Sequence, residues 1–218
     1  MSALLVPDVD DRNDLGTFVG RAVRLDPAAL VRLRESAGRV TAWATTPFDV
    51  LVTRSVPGTV DPADVTAPAG ALLTALSVER AATVDPGTGG LWQGLLPPDD
   101  GWAVVDTVPS AELERLTERG LALAREHAGP LGPPASLLDQ TVLTVSGGGD
   151  SLPPGGGGAA VKVPLRCLFA LSGMGFLGAS SDGEDEIVRV SATTTWLRLD
   201  ARYGAVVRRR ITALPLLT

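Results

Sequence analysis

At 218 residues, with 44% hydrophobic and 20% charged residues, the chain has enough apolar surface to offset the entropy of ordering, which excludes the disordered class. A net charge of −6 excludes polyanion binding driven by bulk charge, and the single cysteine, Cys167, excludes an internal disulfide. No apolar run approaches the ~20 residues of a bilayer-spanning helix, so no membrane partner is expected.

The first stretch, "MSALLVPDVDD", has no basic start, no long apolar segment and no small-residue cleavage site, which predicts a cytoplasmic chain. A first helix is expected from Asp14, because Leu15, Phe18, Val19 and Ala22 recur at helical spacing behind a run of acids that complements a helix dipole. Asp8 and Asp10 open a D-x-D pattern, but Arg12 occupies the next calcium-ligand position and no Gly-x5-Glu tail follows. Helix capping accounts for these acids better. Residues 26–35 read two ways: Asp26-Pro27 is a helix-start signature, while "LVRLRE" before the turn "SAGR" suits the first arm of a hairpin. "RVTAWAT" and "DVLVTRSV" follow as a β-rich antiparallel pair joined by "TPF".

In "DVTAPAGALLTAL" a short extended piece precedes Pro68, which opens about two turns of apolar helix. "WQGLLPPDDGWAVVDTVP" is a proline-marked connection leading into a strand at 102–107. Ser110 starts the longest helix, 111–128, with Glu112 and Glu114 in its first turn and Gly129-Pro130 at its end. "QTVLTVS" and "AAVKV" are strands flanking the glycine segment "SGGGDSLPPGGGG", and Pro164 opens a short buried helix, "LRCLFALSGMGF". After the acidic turn "SSDGEDE", the segments "EIVRVSA", "TWLRLDA" and "YGAVVRRRI" complete an antiparallel meander with Gly204 at a turn. The strand-proline-helix pattern of 65–76 recurs at 161–172, hinting at two related halves. The expectation is an α+β fold of two packed halves, residues 1–107 and 108–218, built mainly of antiparallel β-meanders with a few covering helices.

Catalytic chemistry finds little support. A phosphate loop needs G-x-x-x-x-G-K-[ST] between a strand and a helix; here the glycines precede Ala-Ala-Val, Lys162 and a strand, so 146–158 reads as a hairpin connection. Ser146 and Ser172 lack the glycines of a nucleophile elbow. His127 is the only imidazole, placed to satisfy a helix C-terminus, and Cys167 lies in an apolar stretch that suits an inert buried thiol. No catalytic residue, cofactor or metal is therefore assigned, and a binding function is expected.

Six arginines against Asp200 give residues 187–218 a charge of +5, leaving −11 on the remainder. Trp196, Arg198, Arg202, Arg208 and Arg210 are the candidate binding residues, for a protein partner or a second copy of the chain, or in the competing reading for nucleic acid. Trp43 and Trp196 are expected on a sheet face, with Trp92 and Trp102 clamping the halves across the proline connection.

"LWQGLLPPDDGWAVVDTVP", "LLDQTVLTVS", "LFALSGMGFL" and "WLRLDARYGAVVRRR" resemble a group of uncharacterised proteins from high-GC actinobacteria, a likeness that covers the C-terminal three-fifths and carries no known activity. Helix, β-meander and strand-proline-helix in both halves are similar in outline to the repeated domains of DNA sliding clamps, which are also acidic, although no clamp-specific motif is present. "LRCLFALSGMGFL" with the arginine-bearing hairpin resembles a winged helix, but a strand and the glycine loop stand where its preceding helix-turn belongs.

Overall fold

In the computed structural model, which describes residues 2–79, 81–127, 129, 133–146, 160–178 and 186–210, a strand gives way to a helix at a proline four times. Strand β1 (Ala3–Leu5) is followed by Pro7 and helix α1 (Val9–Leu25). Pro68 ends β6 (Asp64–Pro68) and caps α2 (Ala69–Thr74); Pro109 ends β8 (Ala103–Pro109) and caps α3 (Ser110–Glu126). The short α4 (Ala135–Leu138) precedes β9 (Thr141–Val145), and Pro164 ends β10 (Val161–Pro164) and caps α5 (Leu165–Gly173). A proline cannot donate to a strand ladder and its fixed φ suits a helix entrance. Pro68, Pro109 and Pro164 each therefore stop a strand and admit a helix at the same point, while Pro7 lies between the end of β1 and the Asp8 cap.

Helix α1 begins at Val9, five residues before the expected start at Asp14. Asp8 is the cause: its carboxylate accepts from the backbone N–H groups of Asp10 (2.8 Å) and Asp11 (3.1 Å), satisfying two donors of the first turn. The ambiguous 26–35 segment resolves as β2 (Leu30–Ser36), the first arm of a hairpin, with Ala37 and Gly38 at positive φ in its turn. It leads into β3 (Arg39–Thr45) and β4 (Leu51–Pro57), the expected antiparallel pair. Two small strands, β5 (Thr59–Asp61) and β7 (Thr83–Val84), flank β1 on either side, and a π-helical turn, Ala75–Glu79, extends α2. The closing meander is β11 (Ile187–Ala192), β12 (Trp196–Ala201) and β13 (Gly204–Arg209).

These strands build an eight-stranded antiparallel sheet ordered β6-β2-β3-β4-β13-β12-β11-β8. The order is palindromic. A helix-leading strand (β6 or β8) lies at each outer edge, a three-stranded meander lies inside it, and the meanders meet where β4 pairs with β13 through Thr53–Ala205, Val52–Val206 and Leu51–Val207. The helices cover one face in matching pairs, α1 against α2 and α3 against α5. Leu15, Phe18, Val19 and Ala22 are buried as their spacing predicts, and Phe18 stacks on Phe176 across the junction with ring centroids 6.4 Å apart. Burying a side chain of this size contributes about 2 kcal/mol, so the seam between halves belongs to the hydrophobic core. The fold is thus α+β, with antiparallel meanders in two packed halves. β9 and β10 pair as a separate antiparallel ribbon, which makes 146–158 a connection between neighbouring strands; residues 147–158 of it, and 180–185 of the acidic turn, lie outside the described residues.

Candidate interaction cleft at the junction of the halves

Residues 91–102 carry the chain from the first meander to β8 over the sheet face opposite the helices. Side chains alternate along a strand, so Trp196 and Arg198 of β12 share that outer face with Trp43 of β3, Leu51 of β4 and Val207 of β13. Trp92, Leu96 and Trp102 of the connection pack onto this cluster, as the clamp reading of the tryptophans expects. Trp102 donates from Nε1 to the Pro98 carbonyl oxygen (3.0 Å), which ties the connection into a loop.

The connection leaves a cleft of about 510 Å3 between its own segment Gln93–Leu95, the β3–β4 turn and the open end of the β12–β13 hairpin. Val50, Leu51, Trp196 and Val207 give it an apolar floor, and Arg208, Arg209 and Arg210 line one side. Leu95 stands at the rim with 67% of its surface exposed. A concave apolar site with a few convergent polar groups is the usual form of a binding pocket.

The five residues nominated from sequence do not form one face. Trp196, Arg208 and Arg210 line the cleft, whereas Arg198 faces a neighbouring basin, donating to Asp200 (2.7 Å) with its guanidinium 5.8 Å from the Trp102 ring. Arg202 lies at the far end of the hairpin, paired with Glu186 (2.7 Å) and set over the Tyr203 ring. Alternation and hairpin length separate them: Arg208 points toward the helices, Arg198 away from them, and Arg202 belongs to the turn. Arg210 is fixed by its side chain on the Thr193 carbonyl oxygen (2.7 Å) and by its backbone N–H on that of Thr195 (2.8 Å).

Behind the cleft the helix side carries a network that the sequence did not reveal. Arg166 of α5 is only 7% exposed, donates to the Phe48 carbonyl oxygen (2.8 Å), and pairs with Asp139 (2.7 Å) and Asp49 (3.4 Å). Arg208 joins it on Asp139 (3.0 Å). Burial pushes the Asp139 carboxyl upward, but the Arg208 hydrogen bond and the two guanidinium charges outweigh it and hold the group below the ordinary aspartate range. Asp49 belongs to the first half and Arg166 to the second, so the network also links the halves. The signal available from sequence was the lone arginine in "LRCLFAL", a charge that had to find a partner if that helix was buried.

His127 caps α3, its Nδ1 2.9 Å from the Leu123 carbonyl oxygen, and Cys167 is buried with its thiol pushed up to about 12 by desolvation. Among the described residues no three His, Cys, Asp or Glu side chains are grouped to hold a metal ion, and no helix is long and apolar enough to cross a membrane.

The palindromic sheet with paired helices is similar to the architecture of bacterial DNA polymerase sliding clamps. The clamp of Bacillus subtilis aligns with a TM-score of 0.58 at 14% identity over 99% of this chain and 66% of that one. A putative DNA polymerase III beta subunit from Eubacterium rectale gives 0.58 at 14% over 98% and 66%. The Caulobacter crescentus clamp with PEG bound to its putative beta-motif tethering region gives 0.54 at 15% over 98% and 66%. The chain therefore spans somewhat less than two thirds of these clamps' length, and the likeness is one of fold. By sequence, the chain belongs to the family described as a domain of unknown function, DUF8185, which matches residues 97–213. A second domain of unknown function, DUF8010, matches residues 1–93. No curated protein matches the sequence.

Proposed function

We propose that this chain is a non-catalytic protein-interaction module with a sliding-clamp-like fold, which receives a short extended segment of a partner protein in the cleft between its halves. The observation that carries this reading is the junction itself: a continuous sheet crossed by a connection whose tryptophans close one side, leaving an apolar floor edged by three consecutive arginines. An extended peptide with apolar side chains for the floor and a carboxylate toward Arg209 matches both features.

The likeness to clamps also raises a DNA-associated reading, and the charge of the helix layer weighs against it. Along α1 three aspartates face three arginines, and along α3 four glutamates stand against three arginines. Phosphate binding is driven by lysines and arginines that outweigh neighbouring acids, and along α1 and α3 the acids match or outnumber the arginines.

The test is affinity purification from the native host at low salt, with and without nuclease, using the native chain and Leu95→Glu. A defined protein that survives nuclease and is lost with Leu95→Glu, at unchanged thermal stability, supports the cleft. Recovery that depends on nucleic acid, or a partner indifferent to Leu95→Glu, overturns it.

A further inference from the structure

On the outer face the seam between the halves is lined by small residues. Thr53 of β4 lies opposite Ala205 of β13, and Gly204 follows at a point where an added Cβ would lie 2.8 Å from the Thr53 carbonyl oxygen. Larger side chains surround this line: Trp43 and Arg34 on the side of the first half, Arg198 on the side of the second. With Pro98 and Asp99 of the connection at the rim, they enclose a basin of about 450 Å3, separate from the cleft.

Most polar groups of the basin are engaged. Arg198 is held by Asp200, the Thr41 and Ser55 hydroxyls lie 3.2 Å apart, Glu35 accepts from the Gly38 backbone N–H (3.0 Å), and Arg54 pairs with Asp14 of α1. Two groups are not. The Thr53 side chain is 3% exposed, and its hydroxyl has no hydrogen-bond partner among the described residues, an arrangement that ordinarily carries a desolvation penalty. The Arg34 guanidinium makes no hydrogen bond among the described residues and approaches carboxylates only at length, Asp64 at 3.7 Å and Asp99 at 3.9 Å. Asp99 is 83% exposed, a loosely held counter-charge over the basin.

We propose that this basin is a binding site for a small molecule carrying a carboxylate or phosphate group. The oxyanion accepts from Arg34, with Asp99 displaced from the rim, and a second polar atom of the same molecule partners the Thr53 hydroxyl on the seam. The geometry of a guanidinium fork suits both oxyanions. The basin exceeds a bare ion and falls within the range of small-ligand pockets, so the group is one end of a larger molecule. This site is independent of the partner cleft and stands or falls without it.

The purified full chain is titrated by calorimetry with glycerol 3-phosphate and with glutarate, and with inorganic phosphate as the bare ion. The expected result is saturable binding of one of the two organic anions with a Kd in the range of about 10 μM to 1 mM, which also tells phosphate from carboxylate. Thr53→Val and Arg34→Gln are each expected to weaken it by about tenfold or more, and Asp99→Asn to tighten it. Thr53→Val should leave the melting temperature unchanged or raised, which separates lost binding from lost folding. No binding of either organic anion below about 10 mM, or binding of any probe indifferent to both Thr53→Val and Arg34→Gln, would overturn the proposal.

Discussion

Arg21 on α1 of the first half donates from Nη1 to the carbonyl oxygens of Met174 (2.7 Å) and Gly175 (3.0 Å) at the end of α5 in the second half. The last carbonyls of a helix have no intrahelical partner, and their dipole favours a positive charge. One arginine supplies both needs, and it does so across the junction.

Arg21→Ala should therefore destabilise the whole molecule. Hydrogen bonds from a charged donor contribute roughly 1.5–3 kcal/mol, and Met174 is fully buried, so its freed carbonyl cannot turn to water without local rearrangement. Urea unfolding followed by tryptophan fluorescence should show a loss of about 1–3 kcal/mol with the transition still single. Unchanged stability would mean that the junction depends on the sheet alone.

Gly204 makes a sharper test of the seam. An added Cβ there would sit 2.5 Å from Phe176 Cζ and 2.8 Å from the Thr53 carbonyl oxygen, a ring in the core and a fixed strand. Gly204→Ala must push apart β13 and β4 or displace Phe176 from Phe18. The expected cost is about 2–4 kcal/mol, in the range of overpacked or strained core positions, read as a lowered denaturation midpoint. Gly38→Ala, where a Cβ meets nothing, should cost less because only its turn conformation is strained.

Much of this architecture was legible in the sequence. The meander from Ile187 to Arg209, the β3–β4 pair and the helices after Pro68, Pro109 and Pro164 follow from alternation, β-branched runs and punctuation, signals that act within a few residues. The strand-proline-helix unit was recognised at 65–76 and 161–172. At Pro7 the unit is obscured, because a run of acids suits the approach to a helix as well as its first turn. What could not be read was long-range. The Leu51–Val207 pairing that joins the halves leaves no local mark, since edge strands that meet across a junction look like any other strands. The candidate arginines are neighbours in sequence, and strand alternation divides Arg198 from Arg208. Leu95 and Asp49 of the cleft and Thr53 of the basin carry ordinary local signals and acquire a role only once the connection is laid across the sheet.

Cys167 should be unreactive in the native state. With its thiol pushed up to about 12 by burial, almost no thiolate is present at neutral pH. A disulfide reagent such as DTNB should modify it only at the rate of unfolding and instantly in denaturant. The same displacement makes stability fall in alkali, because above the ordinary cysteine value of about 8.5 the unfolded thiol ionises while the native one does not. Fast stoichiometric labelling of the folded chain would contradict the burial of α5.

Acid should destabilise the protein through two aspartates held by arginine. The Arg32 hydrogen bond lowers Asp64 below its ordinary range, and the Arg208 and Arg166 interactions do the same for Asp139 against the opposing pull of burial. A carboxylate lowered in the native state contributes stability above its unfolded value of about 3.9 and loses that contribution as pH falls through its native value. Stability should thus be flat above about pH 5 and fall below about pH 4. The two residues differ in consequence. Asp64 and its partners are partly exposed, so Asp64→Asn should matter little and less still in salt. Neutralising Asp139 removes a partner from the buried Arg166, whose Nε already lacks one among the described residues. Asp139 is itself as exposed as Asp64, so water screens it too, but its partners Arg166 and Arg208 are the more buried arginines. Asp139→Asn should therefore cost about 1 kcal/mol at pH 7, survive salt better than Asp64→Asn does, and flatten the acid limb of the stability curve. An acid limb identical to that of the native chain would remove Asp139 from the account.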